Sequence, residues 1–343
     1  MKKAVTIRDV ARRAGVSVAT ASRAFNGKHV VSALTLERIR TASAELGYTP
    51  SRAARRLSLG RTMTVGVMVS YLTRPQAAER LRGIDAVCAD GEFDLIVFNV
   101  ESPAKRDHYF ATLIDPHRLD GLLVVSLPPP DGALPALRNP AVPVVFVDVH
   151  VPTVSVAPRV VGDDVRGGAL AARHLLDLGH RRIGFISDAL EDPFGFTSSR
   201  DRQAGMIAEL ALDGVSLPER WVGHGEHGRY EARALALRML RRRDRPTAIF
   251  AASDTQALGV LAAAHEAGLN VPEDLSVVGY DDIEAAEYVG LTTVRQQLEE
   301  SGRQGAELLL AQMRQRADVA PVVSLQPDVV VRSTTAPPKR HRR

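Results

Sequence analysis

The sequence predicts a small all-α helix-turn-helix domain followed by an α/β core of two doubly wound parallel-sheet subdomains. Three observations carry this prediction. At 343 residues the chain has room for two or three compact units. Its charge is divided: residues 1–62 hold 13 Lys or Arg against Asp9, Glu37 and Glu45, Lys339–Arg343 adds four positive charges, and the stretch between has ten more acids than bases. Its apolar pattern changes at Met63, from short helical periods to apolar runs alternating with amphipathic stretches.

The first element starts at Thr6, a good N-cap, with Asp9 at the third helical position as an acidic capping box. Ile7, Val10, Ala11 and Ala14 then share one face, and Gly15 supplies the left-handed stop. Val16 plugs the turn, Ser17 caps a second helix with Ala21, Ala24 and Phe25 inward, and Asn26-Gly27 turns the chain again. A third helix, about Ser32 to Leu46, turns Leu34, Ile39, Ala42 and Leu46 inward and stops at Gly47. Two short helices joined by a glycine turn form a helix-turn-helix, and its basic surround suits phosphate. At the start of the second helix Val18 and Ala19 can pack on thymine methyls, and Arg23 can reach a guanine edge. Thr20 and Ser22 suit phosphate. For Val18 and Ala19 the alternative is plain core packing.

After Met63, strands are predicted at Thr64–Val69, Leu95–Val100, Gly121–Val125, Val144–Val147, Ile183–Ile186, Ala248–Ala251 and Leu275–Val278. Helices fall between them, at Ala78–Ala89, Gly167–Leu178, Arg200–Asp213, Arg229–Arg242 and Thr255–Ala267. Such alternation gives parallel sheets, and two sheets whose strand ends face each other leave a cleft for a small ligand.

Several spaced motifs, in order, resemble those of the LacI/GalR family of bacterial regulators. They are D-V-A-x-x-A-G-V-S-x-x-T-x-S-R at Asp9–Arg23, A-x-L-G-Y-x-P at Ala44–Pro50 and A-A-R-R-L at Ala53–Leu57. Further along come D-D-x-x-G-G from Asp163, H-L-L-D-L-G-H-R-R-I-G-F-I from His174, S-D-x-x-A-L-G from Ser253, P-E-D-L-S-V-V-G-Y-D-D from Pro272 and L-T-T-V-R-Q from Leu291. The resemblance covers nearly the whole chain and implies a periplasmic-binding-protein-like core. It implies domains at 5–50 (helix-turn-helix), 51–60 (hinge helix) and 63–336 (core), with a basic tail at 337–343. The chain would cross between subdomains near residues 162, 291 and 321. Thr6, Ser17, Val18, Ala19, Thr20, Ser22, Arg23 and Asn26 form the implied DNA face. In the hinge, Arg52, Ala54 and Arg56 join it, and Leu57 wedges into the minor groove.

For the effector, the matched motifs and their chemistry point to Asp148, Arg202, Ser253, Asp281 and Gln296. Each has a structural alternative, a salt bridge or a helix cap. Arg74, where the family often has an aromatic loop, hints at an anionic or acid sugar, or else lies on the surface. The implied protein is a repressor of carbohydrate use whose homodimer binds a pseudo-palindromic operator and responds to a sugar or sugar derivative; the alternatives are a solute-binding protein and a corepressed or activating regulator that senses a non-sugar ligand.

Other classes fit less well. A solute-binding protein would lack the basic head, and the chain has no G-x-S-x-G, G-x-x-x-x-G-K-[ST] or G-x-G-x-x-G for an enzyme. The single cysteine, Cys88, allows no intrachain disulfide and sits in a helical apolar pattern. His224 and His227 are glycine-flanked loop residues, better suited to solvent or ligand than to metal. No metal or cofactor is expected. Charged Arg8, Asp9, Arg12 and Arg13 interrupt any apolar signal segment and no run is long enough to span a bilayer, which predicts a cytoplasmic protein without membrane contact.

Overall fold

The computed structural model describes residues 5–25, 31–48, 61–138, 140–149, 157–314 and 322–339, which fall into two compact units, Met1–Met63 and Thr64–Arg343. In the first unit α1 (Ile7–Ala14), α2 (Val18–Phe25) and α3 (Ala33–Leu46) close on Val10, Ala14, Ile39 and Ala42. Asp9 Oδ2 accepts from the Thr6 N–H at 3.0 Å and from its hydroxyl at 2.7 Å. Gly15 and Gly47 both take left-handed φ, 64° and 61°, and stop their helices as the sequence predicts. Leu34 corrects the expected core: it is 75% exposed. Five residues before Ile39 it lies about 140° around the helix from that side chain, so it cannot share the face of Ile39, Ala42 and Leu46.

The second unit contains two six-stranded sheets. The first runs β11-β5-β4-β3-β1-β2 and is parallel throughout, with β1 Thr64–Ser70, β2 Asp94–Val100, β3 Gly121–Val125, β4 Val144–Val147, β5 Arg159–Gly162 and β11 Val322–Leu325. The second runs β12-β10-β9-β8-β6-β7, with β6 Ile183–Asp188, β7 Val222–Gly225, β8 Ala248–Ala251, β9 Ser276–Asp281, β10 Thr292–Arg295 and β12 Asp328–Val330. Only β12 is antiparallel to its neighbour. Apolar clusters cover both faces of each sheet, so β1, β3 and β4 are buried at every residue and read as unbroken apolar runs.

Two crossings differ from expectation. The chain passes between sheets after Gly162, and its later passages follow Arg295 and Leu325 rather than 291 and 321. Strand β10 begins with Thr292 and Thr293, buried residues whose hydroxyls bond Thr335 and the buried Asp254, so an apolar period does not mark it.

Reciprocal glycines bring one helix pair in each lobe into backbone contact. A Cβ on Gly168 or Gly205 would collide with the carbonyl of Arg202 or Val165, joining the helices Asp164–Asp177 and Ser198–Leu212. Gly83 and Gly302 do the same for Pro75–Asp90 and Leu298–Met313, against the carbonyls of Glu299 and Arg80. These contacts set the positions of Arg202 and Arg80, which both enter the cleft between the sheets.

Candidate functional site

On the N-terminal unit, α2 buries Ala21 and turns its other end outward. Val18 is 43% exposed, and Ala19 and Arg23 are exposed, so neither apolar residue is committed to the core. Ser17 is a helix cap, its Oγ accepting from the Thr20 N–H at 3.0 Å. Thr20 and Ser22 are half-buried, and the Arg23 Nε donates to the Ala19 carbonyl at 3.3 Å. Asn26, Arg52, Ala54, Arg56 and Leu57 lie outside the described residues.

In the core, a cavity of about 120 Å³ lies between the lobes, at the carboxyl ends of the parallel strands. Side-chain-bearing residues at those ends have left-handed φ: Tyr71 at 48° after β1, Ser126 at 46° after β3, Asp148 at 58° after β4, Asp281 at 119° on β9 and Asp282 at 61° just past it. Each costs about 1–3 kcal/mol relative to relaxed backbone, and such strain gathers at functional sites. Here it turns Ser126, Asp148 and Asp281 into the cavity.

All five residues singled out from the sequence, Asp148, Arg202, Ser253, Asp281 and Gln296, line this one cavity. Their commitments differ. The Arg202 Nε donates to Asp164 Oδ1 at 2.8 Å, its Nη1 to the Ala252 carbonyl, and its guanidinium lies 3.7 Å over the Tyr280 ring. Burial works against that cation, but Asp164 and Asp281 outweigh it and hold the guanidinium above its usual value. Asp281 accepts from Gln76 Nε2 at 2.6 Å and from Gln296 Nε2. Burial pushes its carboxyl up, against the pull of Arg202. Behind it Asp254, also buried, is held well above the ordinary carboxylate range by desolvation and by the Asp281 charge. Ser253 caps the helix Asp254–Glu266, its Oγ accepting from the Gln256 N–H at 3.2 Å. Its structural role is therefore filled, whatever else it meets.

Arg80, Gln76, Asp188 and Gln256 went unread in the sequence, and of the two loop histidines suited there to solvent or ligand only His227 lines the cavity. Arg80 Nη2 donates to Asp148 Oδ2 at 2.8 Å and to Gln296 Oε1 at 3.0 Å. His227 Nδ1 faces both oxygens of Asp188, at 3.0 and 3.1 Å, and Gln256 Nε2 donates to the same carboxylate. Gln76 Oε1, Arg80 Nε and His227 Nε2 are buried without a protein partner, and all three residues line the cavity. Buried polar atoms are rarely left so, and these mark places for a ligand or water. A further element crosses the cleft. Phe194, from the loop after β6, is buried in the first lobe's core, 5.8 Å edge-on to Tyr71, and stacks at 5.3 Å on Phe196, which lines the cavity. Phe-Gly-Phe in a polar loop was the available signal.

The remaining candidates are placed as follows. Arg74 does line the cleft, but its guanidinium covers the Tyr71 ring at 4.0 Å and burial lowers its basicity. His224 Nδ1 bonds the Ser187 hydroxyl at 2.8 Å, outside the cavity lining. Cys88 is buried, and desolvation raises its thiol to about 11, so it is not a nucleophile at neutral pH. No helix of the described residues is long and apolar enough to cross a membrane. The arrangement is built for binding: paired charges, amide groups and one aromatic face around a small enclosed space.

Comparison with known proteins matches residues 6–51 to the model for bacterial regulatory proteins of the lacI family, and residues 172–335 to a periplasmic binding protein-like domain. The HTH-type transcriptional repressor PurR of Photobacterium profundum is 31% identical over 332 residues, which is 96% of this chain and 98% of that protein. Among solved structures, a Lac repressor dimer bound to operator and the anti-inducer ONPF is 30% identical with a TM-score of 0.82, covering 97% of this chain and all of that one. A transcriptional regulator CelR–cellobiose complex is 31% identical with a TM-score of 0.70, covering 96% of this chain and 100% of the other.

Proposed function

The chain belongs to the lacI family of bacterial regulatory proteins, and from that membership we propose that it is a homodimeric transcriptional repressor whose operator affinity is set by a small hydroxylated effector. The observation that carries this reading is the cavity between the lobes, where Gln76 Oε1, Arg80 Nε and His227 Nε2 await partners. His227 donates through Nδ1 to Asp188, so in the neutral ring its Nε2 accepts, as does Gln76 Oε1, whereas Arg80 Nε donates. Hydroxyl groups serve both kinds, which favours a sugar or sugar derivative. That one of the similar structures is a cellobiose complex supports the same class. The carboxylates of Asp188 and Asp281 against the single additional cation of Arg74 favour a neutral ligand over the anionic sugar that Arg74 alone suggested.

At the DNA, Val18 and Ala19 contact thymine methyls and Arg23 a guanine edge, with Thr6, Ser17, Thr20, Ser22 and Asn26 around them and Arg52, Ala54, Arg56 and Leu57 in the minor groove. Ligand closing the cleft couples to the operator with about 1–3 kcal/mol. A second reading takes a flat heterocyclic base, stacked on Phe196, as the effector. It draws on that ring in the cavity lining and on the shared name of the curated relatives, PurR.

Selection of bound fragments from random-sequence DNA should return a two-fold symmetric site that Arg23→Ala no longer retains. A thermal-shift screen of neutral sugars, sugar acids and heterocyclic bases should then find a ligand that also changes affinity for that site by about 5- to 150-fold. An asymmetric site, or a stabilising ligand without effect on DNA binding, overturns the reading.

A further inference from the structure

A second cavity lies at the opposite end of the second sheet, among the residues that lead into β6, β8 and β9. It encloses about 410 Å³ and is lined by Arg182, Arg243, Arg245, Lys339, Glu273 and Asp274. His180 and Thr247 floor it, bonded to each other at 2.8 Å. Four cations thus face two carboxylates, and Asp274 is already engaged by Lys339 Nζ at 2.6 Å. The neighbouring carboxylate, Asp244, is taken by Arg220 and Arg242 at 2.8 and 3.0 Å. Arg243 and Arg245 have no ion pair among the described residues. This is not general basicity, since residues 63–338 carry ten more acids than bases. The segment Arg241–Arg245 alone supplies four arginines in five residues, and past Lys339 the sequence adds Arg340, Arg342 and Arg343.

We propose that this cavity is a second ligand site, separate from the effector cleft, for a compact molecule carrying two or more linked phosphates. Guanidinium forks match phosphate oxygens two at a time, and several around one concavity favour linked phosphates over a single one. The concave shape favours a small polyanion over duplex DNA, which is met by a stripe of cations along a convex surface.

Titration calorimetry of the full-length protein with sodium tripolyphosphate, at salt near about 0.15 M to screen exposed charge, tests this. The wild type should bind one per chain. Arg243→Ala/Arg245→Ala should weaken binding at least about tenfold with an unchanged circular dichroism spectrum. Glu273→Gln, which removes an opposing charge from the rim, should tighten it about threefold, a gain that misfolding cannot imitate. The proposal falls if the wild type gives no binding, or if the double variant binds as the wild type does, which would place the anion on the basic N-terminal unit. It also falls if the double variant loses random-sequence duplex affinity while keeping that for tripolyphosphate.

Discussion

In each lobe of the core a glycine-notched helix pair carries one buried arginine into the cleft, yet Arg202 and Arg80 meet different surroundings there. Arg202 is met on every side, by the Asp164 carboxylate, the Ala252 carbonyl and the face of Tyr280. Arg80 bonds Asp148 and Gln296 through one nitrogen and leaves its Nε without a partner. The second lobe's arginine therefore acts as a clamp on its own lobe. The first lobe's arginine belongs to a chain of contacts, Asp148–Arg80–Gln296–Asp281–Gln76, that returns across the cleft and has unused hydrogen-bonding capacity. Of the two arginines, Arg202 is saturated and Arg80 is set to respond.

Removing Arg202 is the largest break. Arg202→Met should cost about 3–5 kcal/mol, because it strands Asp164 and Asp281 as buried charges. Urea unfolding of the two proteins measures this, and a loss below about 1 kcal/mol would deny the clamp. Next comes the strap between lobes. Phe194→Ala should cost about 3 kcal/mol of docking in the first lobe's core. It should also raise hydrogen exchange in the loop 189–197 and speed effector entry, whereas a purely local packing role would leave entry unchanged. Gln76→Ala removes a single bond to Asp281 across the cleft, worth about 1–2 kcal/mol, with Gln296 still in place. It should open the cleft in solution scattering and lower the urea midpoint by less than Arg202→Met does.

The smallest effect is in pH. Burial lowers the imidazoles of His174 and His180, both in the second lobe, below their usual value of 6.5. The unfolded chain therefore takes up these protons first as pH falls. Their stabilisation is full above about pH 6.5 and is lost below it, toward the folded values. Melting temperature should fall between about pH 6.5 and 5, and His180→Gln should flatten that decline. An equal decline in the variant would assign acid sensitivity elsewhere.

The sequence by itself determined the local structure and pointed to five residues that line the cleft, but not to Arg80, Gln76, Asp188 or Gln256 beside them. Caps, glycine stops and apolar periods are near-neighbour effects, so α1, α2 and the buried strands β1, β3, β4 and β8 were legible within a residue or two. Ser253, Arg202 and Asp281 were picked out by the motifs that resemble the family and by their own chemistry. What depends on partners far along the chain was decided only in three dimensions. Thr292 and Thr293 read as linker because their hydroxyls bond Thr335 and Asp254, 43 and 39 residues away in sequence. Leu34 was misread instead, since the helical period alone sets it off the face of Ile39. Whether a cleft arginine is spent or available depends on carboxylates, carbonyls and rings that only folding assembles, and no local pattern encodes that difference between Arg202 and Arg80.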